Sequence, residues 1–143
     1  MSEHVMHHKV ELWHPYQLVY VALTGHVTRE GFITYLETLR QVSAISENYS
    51  FISDQRQLDV TQLSPKDIDC LVQEVAMRRG WFQKGKHCLI AASPLAFGLA
   101  RMFEQQAQGI AVHELRVVSS WRDCLQWLHS DPTIPDPALR VCS

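Results

Sequence analysis

The fold is decided at residues 50–68, which read SFISDQRQLDVTQLSPKDI. A short apolar strand, Ser50 to Ser53, is predicted to end in Asp54; a polar loop follows, and a helix begins at Ser64 and Pro65. A strand, an acidic residue, a loop and a capped helix form the type of corner at which α/β proteins place functional groups. This corner carries hydroxyls and a carboxylate, but neither a nucleophile–base pair nor a metal-ligand spacing. It therefore predicts the architecture more firmly than the activity.

Strands and helices alternate outward from this corner along the whole chain. β-prone runs predict strands near residues 9–13, 18–23, 50–55, 87–92 and 110–118. A 3.6-residue spacing of apolar side chains predicts helices near residues 28–44, 65–79, 94–109 and 120–129. The resulting order, ββαβαβαβα, implies parallel pairing through crossover helices, with the first strand antiparallel. We therefore predict an α/β fold with a mixed five-stranded sheet and four helices.

Each predicted helix begins directly after a strand, at a residue type that caps helices. These residues are Thr28, Ser64, Ser93 and Ser120. In a parallel sheet all four helix starts lie along one edge, where free backbone N–H groups form a candidate site for an anion or a phosphate. The simpler interpretation is capping, which stabilises a helix by about 1 kcal/mol.

The chain has the composition of an ordinary globular protein, with 143 residues, 46% hydrophobic residues and a formal net charge of -2. That charge favours neither nucleic acid nor an anionic membrane surface as a partner. No apolar run is long enough to span a bilayer, and the N-terminus has no apolar signal core, so we expect a cytoplasmic protein. We expect one domain over residues 1–129 and a flexible tail over 130–143, because Pro132, Pro135 and Pro137 interrupt regular structure.

The four cysteines, Cys70, Cys88, Cys124 and Cys142, include no C-x-x-C pair. The first three fall in apolar helix or strand patterns, which predicts buried free thiols in a reducing compartment. Cys142 lies in the tail and is expected to be exposed.

Residue patterns for catalysis or metal binding are missing from the sequence. The eight histidines include no H-E-x-x-H and no Cys/His ligand spacing. Residues 91–94, AASP, lack the glycines of a nucleophile elbow, and no G-x-x-x-x-G-K phosphate loop occurs. We therefore predict no metal, no cofactor and no enzymatic activity.

Two groups of residues are candidates for a binding surface. Asp54, Arg56 and Asp59 cluster at the predicted end of the third strand, where a carboxylate could position a partner group. The alternative is a salt bridge or an Asx turn that orders the loop. Trp81 and Phe82 lie in a basic and aromatic segment, and if exposed they are a candidate hot spot for protein binding. If they pack over the sheet edge, they belong to the core.

The element order, the strand ending in Asp54 and the Ser-led helix after it together resemble STAS domains, the fold of sulfate transporters and anti-sigma-factor antagonists. The resemblance is closer to the small bacterial SpoIIAA-like proteins of the STAS/SEC14-like group. It is carried by residues 89–92 (LIAA), 97–102 (FGLARM), 112–118 (VHELRVV) and 121–128 (WRDCLQWL). It covers about residues 9–128, rests on hydrophobic patterns, and implies a regulatory module without catalytic activity.

In anti-sigma-factor antagonists, a Ser or Thr at the start of the helix after the third strand is phosphorylated by a partner kinase, and the phosphate breaks the complex. The matching region here holds Thr61 and Ser64. The usual Asp-Ser-Ser-Gly-like switch sequence is absent, and Pro65 follows Ser64. Apart from this difference in the switch sequence, the resemblance implies a regulatory protein partner of the kinase or sigma-regulator type.

These observations lead to three functional hypotheses. The leading one is a non-enzymatic regulatory or protein-interaction domain whose surface includes Asp54, Thr61 and Ser64. The second is a module that binds a small molecule, a lipid or a nucleotide, with Ser93 and the rest of residues 91–98 at the mouth of its pocket. A hydrolase or transferase ranks last. The exposed edge of the first strand could also support a homodimer.

Overall fold

The computed structural model describes residues 5–78, 80–108, 110 and 112–140, with residues 82–84, 112 and 113 described by their backbone alone. Five strands and four helices alternate along these residues. They are β1 His7–Trp13, β2 Leu18–His26, α1 Arg29–Ile45, β3 Ser50–Asp59, α2 Pro65–Met77, β4 Phe82–Ile90, α3 Pro94–Ala107, β5 Val112–Val118 and α4 Trp121–Trp127. The predicted order ββαβαβαβα is confirmed. None of these helices is long and apolar enough to cross a membrane.

The five strands form one sheet in the order β1-β2-β3-β4-β5. β1 pairs antiparallel with β2, as predicted, because a short 3-10 turn at His14–Tyr16 reverses the chain. The other neighbouring strands pair in parallel. Each strand from β2 to β5 is followed by a helix, so this topology brings four helix starts to the carboxyl edge of the sheet.

Each helix begins at its predicted capping residue. The side-chain oxygens of Thr28, Ser64, Ser93 and Ser120 each accept a hydrogen bond from a backbone N–H in the first turn. Those N–H groups have no partner within their own helix, so the caps define where α1 to α4 begin.

Helices cover both faces of the sheet. α1, α2 and α3 pack on one face, here termed the first face, and form the larger core with it. α4 packs on the opposite, second face. Side chains alternate along β3, so Phe51 and Ser53 point to the first face, while Ile52 and Asp54 point to the second. The apolar run of β4 is buried from both sides, as predicted.

β3 is longer than predicted, and Asp54 is not its last residue. The parallel pairing of β3 with β2 continues to the pair His26 and Asp59. β4 ends earlier, where Ile90 pairs with Asp54. Asp54 therefore lies inside β3, level with the end of β4. The prediction of a strand end at Asp54 is wrong because β2 continues to supply backbone hydrogen-bond partners beyond it.

The sequence predicts a flexible tail from Ser130, but the structure packs residues 131–140 onto the second face. Ile134 is only 5% exposed, and its carbonyl accepts a hydrogen bond of 2.9 Å from Trp121 Nε1. The prolines prevent a long helix here, yet they do not prevent an apolar side chain from filling the second-face core. Residues 141–143 lie outside the described residues.

Cys88 and Cys124 are buried, as predicted, whereas Cys70 is exposed. The buried face of α2 includes Ile68, Leu71, Val72 and Val75. The 3.6-residue period places Cys70 on the opposite side of the helix from these residues, which explains why the prediction for Cys70 is wrong. The prediction for Cys142 falls outside the described residues.

Candidate functional site

Three polar side chains meet inside the first-face core. Ser53 of β3 lies between Tyr35 of α1 and His87 of β4. Ser53 Oγ is 2.8 Å from His87 Nε2 and shares a short hydrogen bond with Tyr35 Oη. Tyr35 Oη and His87 Nε2 are 3.5 Å apart. These three residues are termed the polar trio.

The polar trio follows from strand register and helix periodicity. Phe51 of β3 pairs with His87 of β4. Because side chains two residues apart share a face, Ser53 comes to lie beside His87. Tyr35 follows Phe32 on the buried side of α1, almost one helical turn later. The packing of α1 on the sheet then brings the Tyr35 hydroxyl to Ser53.

The polar trio is uncharged at neutral pH. Burial lowers the pKa of His87 from its ordinary 6.5 to about 4. Burial also raises the pKa of the Tyr35 hydroxyl, although the hydrogen bond with Ser53 acts in the opposite direction. Ser53 is 0% exposed and Tyr35 is 5% exposed, whereas His87 is half-buried, so only a molecule that enters the core could contact the two hydroxyls.

Two small cavities lie between the sheet and the helices of the first face. The first cavity measures about 60 Å³ and is bounded by residues of β3, α2 and α3 that include Leu58, Leu71 and Ala100. The second cavity measures about 40 Å³ and extends to His87 and Leu115. The small side chains of α3 leave this space open beside the sheet.

The two cavities share part of their lining. Both are lined by Phe32, Tyr35, Gln55, Leu89 and Phe103. None of the described residues that line either cavity is charged, and the polar ones are Tyr35, Gln55 and, in the second cavity, His87. Tyr35 therefore connects the polar trio with both cavities. The amide of Gln55 has no hydrogen-bond partner among the described residues.

On the second face, Arg56 joins two carboxylates. Its guanidinium donates to Asp54 through Nε at 2.9 Å and Nη2 at 2.8 Å. It also donates to Asp136 through Nη1 at 2.8 Å and Nη2 at 2.7 Å. Tyr20 Oη donates to Asp54 Oδ2 at 2.7 Å. This set, termed the Arg56 clamp, ties residues 131–140 to the sheet.

Hydrogen bonds keep both carboxylates of the Arg56 clamp ionised. Burial disfavours the charged form of Asp54, but the hydrogen bonds from Arg56 and Tyr20 outweigh it and hold its pKa below the ordinary 3.8. Hydrogen bonds from Arg56 likewise lower the pKa of Asp136. Of the two interpretations of Asp54 and Arg56, the geometry matches the salt bridge.

A third cavity, about 160 Å³, lies beside the Arg56 clamp. Its lining includes Glu11 and Arg140, which pair with each other at 2.8 Å. The lining also includes Asp54 and Arg56, which are engaged in the clamp. The charges around this cavity are therefore already matched within the protein.

Asp59 lies apart from the Arg56 clamp, at the end of β3. Its Oδ2 is 3.2 Å from His26 Nδ1. Its Oδ1 accepts hydrogen bonds from the backbone N–H of Thr61 at 2.9 Å and from the Thr61 hydroxyl at 2.6 Å. This is an Asx turn that orders the loop. The structure does not bring Asp59 together with Asp54 and Arg56.

Thr61 and Ser64 are both exposed on the loop before α2. Ser64 and Asp67 form a capping box, in which Asp67 N donates to Ser64 Oγ at 3.3 Å and Ser64 N donates to Asp67 Oδ2 at 2.8 Å. The Ser64 hydroxyl also donates to this carboxylate at 3.0 Å. A phosphate on Ser64 would meet the positive end of α2 and the negative charge of Asp67.

Of the other predicted residues, Trp81 and Ser93 line neither first-face cavity. Trp81 is half-buried, packs against the first-face core and lies under the guanidinium of Arg40, 4.6 Å from its ring centre. This environment matches the core interpretation of Trp81. The side chain of Phe82 lies outside the described residues. Ser93 is exposed and caps α3 through a hydrogen bond of 3.1 Å from Ala96 N.

The candidate site, the polar trio with the two first-face cavities, rests on the positions and contacts of its residues. Within the described ranges, no group of three or more His, Cys, Asp or Glu side chains could hold a metal ion.

No protein-family model matches the chain, and no curated protein matches its sequence.

Sequence reasoning missed the polar trio and its contact with two cavities. The available signals were weak: a serine inside the apolar run of the third strand, a histidine at the start of the apolar run of the fourth, and a tyrosine on the apolar side of the first helix. Each is common in a core on its own. Their proximity depends on strand register, which the sequence pattern does not specify.

Proposed function

We propose that the protein is a non-enzymatic binding domain that holds a small, largely apolar ligand between the sheet and helices α1 to α3. The observation that carries the proposal is the pair of uncharged cavities that share five lining residues and meet the polar trio at Tyr35. Apolar walls around a few polar groups are typical of a small-molecule site, which supports this proposal.

The energetics of the cavities support this function. Each cavity is partly open to solvent, so its apolar walls lack packing partners on that side. A ligand that fills it restores the missing van der Waals contacts and removes its own apolar surface from water. The walls therefore favour an occupant whose shape and polarity match them.

The proposal also includes membership of the SpoIIAA-like branch of the STAS/SEC14-like group. The element order, the single antiparallel pair β1–β2 and the parallel order of β2 to β5 support it. In this assignment the first-face cavities are the functional site, and the Arg56 clamp is structural.

Toluene is a suitable first probe, because it is small, apolar and uncharged. We expect toluene to raise the melting temperature of the wild-type protein and to show saturation transfer in ligand-observed NMR. Ala100→Leu fills the first cavity from α3 and should abolish both effects. Ala44→Leu adds the same side chain at an exposed position of α1 and should leave both unchanged. Absence of toluene binding to the wild type, or equal binding to Ala100→Leu, would contradict the proposal.

A second candidate function is a protein-interaction domain that is switched by phosphorylation at Thr61 or Ser64. The observation in its favour is that both hydroxyls are exposed, three residues apart, before α2. The partner would be a regulatory protein of the kinase or sigma-regulator type. The first measurement is the intact mass of protein purified from its own host, which reveals a bound phosphate.

The charge of a phosphate at Ser64 can be tested without losing the helix cap. Asp and Asn both cap helices well, so Ser64→Asp adds a charge while Ser64→Asn keeps the site neutral. In a phosphorylation switch, Ser64→Asp weakens capture of the co-purifying partner and Ser64→Asn does not. Equal capture by the two variants would argue against a switch at Ser64.

A further inference from the structure

Tyr35 occupies the position where the polar trio meets both first-face cavities. It lines each cavity, and its hydroxyl bonds to Ser53. Ser53 lines neither cavity, and His87 lines only the second. An occupant that spans the two cavities therefore contacts the polar trio through Tyr35 and, in the second cavity, through His87.

A count of the hydrogens in the polar trio shows that the Tyr35 hydroxyl can make one more hydrogen bond, as a donor or as an acceptor. The two contacts, Tyr35–Ser53 and Ser53–His87, each use one hydrogen. If His87 Nε2 is the acceptor, Ser53 donates to it and Tyr35 donates to Ser53, so Tyr35 Oη can still accept. If Nε2 carries the hydrogen, Ser53 accepts from it and can either donate to Tyr35 or accept from it, so the Tyr35 hydroxyl keeps its O–H or a lone pair for a ligand.

A ligand hydroxyl satisfies Tyr35 in both arrangements, because a hydroxyl can donate and accept. The Gln55 amide also lines both cavities and offers both donor and acceptor atoms. A hydroxyl between Tyr35 and Gln55 would thus give the half-buried Gln55 amide a partner that the described residues do not supply.

Charge and size restrict the ligand further. An ionised carboxylate or ammonium in these cavities would meet no opposite charge on the described lining residues, and burying an unpaired charge is strongly unfavourable. A cavity of about 150 Å³ encloses a benzene-sized molecule, and the two cavities, at about 60 Å³ and about 40 Å³, are smaller and partly open to solvent, so an aromatic ring would fill them and extend past their open sides. The ligand is therefore compact and neutral.

We infer that the first-face site selects small neutral alcohols or phenols, with the ligand hydroxyl bound between Tyr35 and Gln55 and the apolar body in the two cavities. This inference rests on the proposed function, since it names the chemical class that the site accepts.

Four ligands with the same ring test this selectivity: toluene, benzyl alcohol, benzoate and benzylammonium. Dissociation constants for the full-length protein are measured by NMR titration at pH 7. We expect benzyl alcohol to bind about five-fold tighter than toluene, as one net hydrogen bond implies. We expect both ions to bind at least about ten-fold more weakly than toluene, because each would lose its hydration without gaining a counter-charge.

Tyr35→Phe removes the hydroxyl and keeps the ring, so it should reduce the preference for benzyl alcohol over toluene to about one while toluene still binds. Gln55→Leu is the second variant and should act in the same direction. Tyr20→Phe removes a buried tyrosine hydroxyl on the opposite face and serves as the matched control. It should retain the full preference.

The outcomes separate this inference from the function on which it rests. If toluene binds in an Ala100-dependent way but benzyl alcohol binds no tighter, or if an ion binds best, the inference is wrong and the binding function stands. If neither toluene nor benzyl alcohol binds the wild-type protein, both fail. A preference that survives in Tyr35→Phe and in Gln55→Leu would also overturn the inference.

Discussion

At the scale of single residues, the buried carboxylate of Asp54 and the half-buried imidazole of His87, on opposite faces of the sheet, show opposite charge states. Asp54 stays charged, because Arg56 and Tyr20 supply hydrogen bonds that outweigh the cost of burial. His87 stays neutral, because its contact in the polar trio is an uncharged hydroxyl and burial disfavours the imidazolium. The first arrangement suits a structural clamp, and the second suits the wall of an apolar cavity.

Loss of the Asp54 charge should destabilise the protein strongly. Asp54→Asn leaves the guanidinium of Arg56 with one carboxylate instead of two in a mostly buried site, which should cost about 3 kcal/mol in the free energy of unfolding. Urea unfolding at pH 7 measures this cost. Asp69→Asn, at an exposed position of α2, is the control and should change stability by less than about 0.5 kcal/mol. Equal effects of the two substitutions would refute the structural role of the clamp.

His87 should make stability depend on pH below neutrality. Its pKa is about 4 in the folded protein and 6.5 in the unfolded chain, so between these values only the unfolded chain takes up the proton. Stability should therefore fall as the pH falls through this window, by up to about 3 kcal/mol. Burial also lowers the pKa of His8, which adds a contribution of the same sign.

His87→Gln keeps a hydrogen-bonding side chain beside Ser53 but does not titrate. Its urea unfolding curves should depend less on pH than those of the wild type between pH 6.5 and pH 4. His14→Gln, at an exposed position, is the matched control. A slope that stays the same in His87→Gln would show that the pKa of His87 is not lowered in the folded protein.

At the scale of secondary-structure elements, the ends of helices and strands are set by local chemistry together with pairing. The four helix caps depend on the residue at the N-terminus and a backbone N–H in the first turn, so the sequence predicts them correctly. The end of β3 depends on how far β2 continues beside it, so the sequence predicts it four to five residues too early. The need for glycine at position 25 in β2 likewise depends on a neighbouring segment, because the carbonyl oxygen of Val5 lies 2.1 Å from the place that a Cβ would occupy.

Two glycines should respond in opposite ways to the same substitution. Gly25 has φ +82°, and a Cβ there would lie 2.1 Å from the carbonyl oxygen of Val5. Gly25→Ala should therefore destabilise the protein by about 2 kcal/mol or more. Gly98 lies in α3 with nothing within 4 Å of an added Cβ, so Gly98→Ala should stabilise it by about 0.5–1 kcal/mol. Thermal unfolding of the two variants decides this, and shifts of the same sign would contradict the structure.

At the scale of the whole molecule, residues 131–140 complete the second face. Ile134 enters the core beside Trp121, and Asp136 binds Arg56 on β3. The two contacts are of different kinds, one apolar and one ionic, and they hold the segment near the same part of the sheet. This segment therefore belongs to the folded domain.

Truncation of two side chains in this segment tests that assignment. Ile134 is 5% exposed and Leu139 is 78% exposed. Ile134→Ala should cost about 2–4 kcal/mol of stability, because it removes a buried side chain from the second-face core. Leu139→Ala should stay within about 0.5 kcal/mol of the wild type. If urea unfolding gives the same free energy for the two variants, the segment does not contribute to the core.

The candidate site was harder to predict than the fold because its residues come from separate elements. The contact between Ser53 and His87 joins positions 34 apart in the sequence, and Tyr35 lies 18 positions before Ser53. A polar residue inside an apolar run looks the same in sequence whether it meets a partner or solvent. The sequence did place Asp54 and Arg56 together, since they lie two residues apart on one strand, but not their partner Asp136.

The sequence by itself determined the order of strands and helices, the antiparallel first pair and the four helix caps. These features depend on spacing, turn chemistry and interactions within a few residues. Only the tertiary structure decided the extent of β3, the docking of residues 131–140 and the meeting of Tyr35, Ser53 and His87 beside two cavities. Those features depend on which distant side chains pack against one another, and packing is a property of the assembled core rather than of any local pattern.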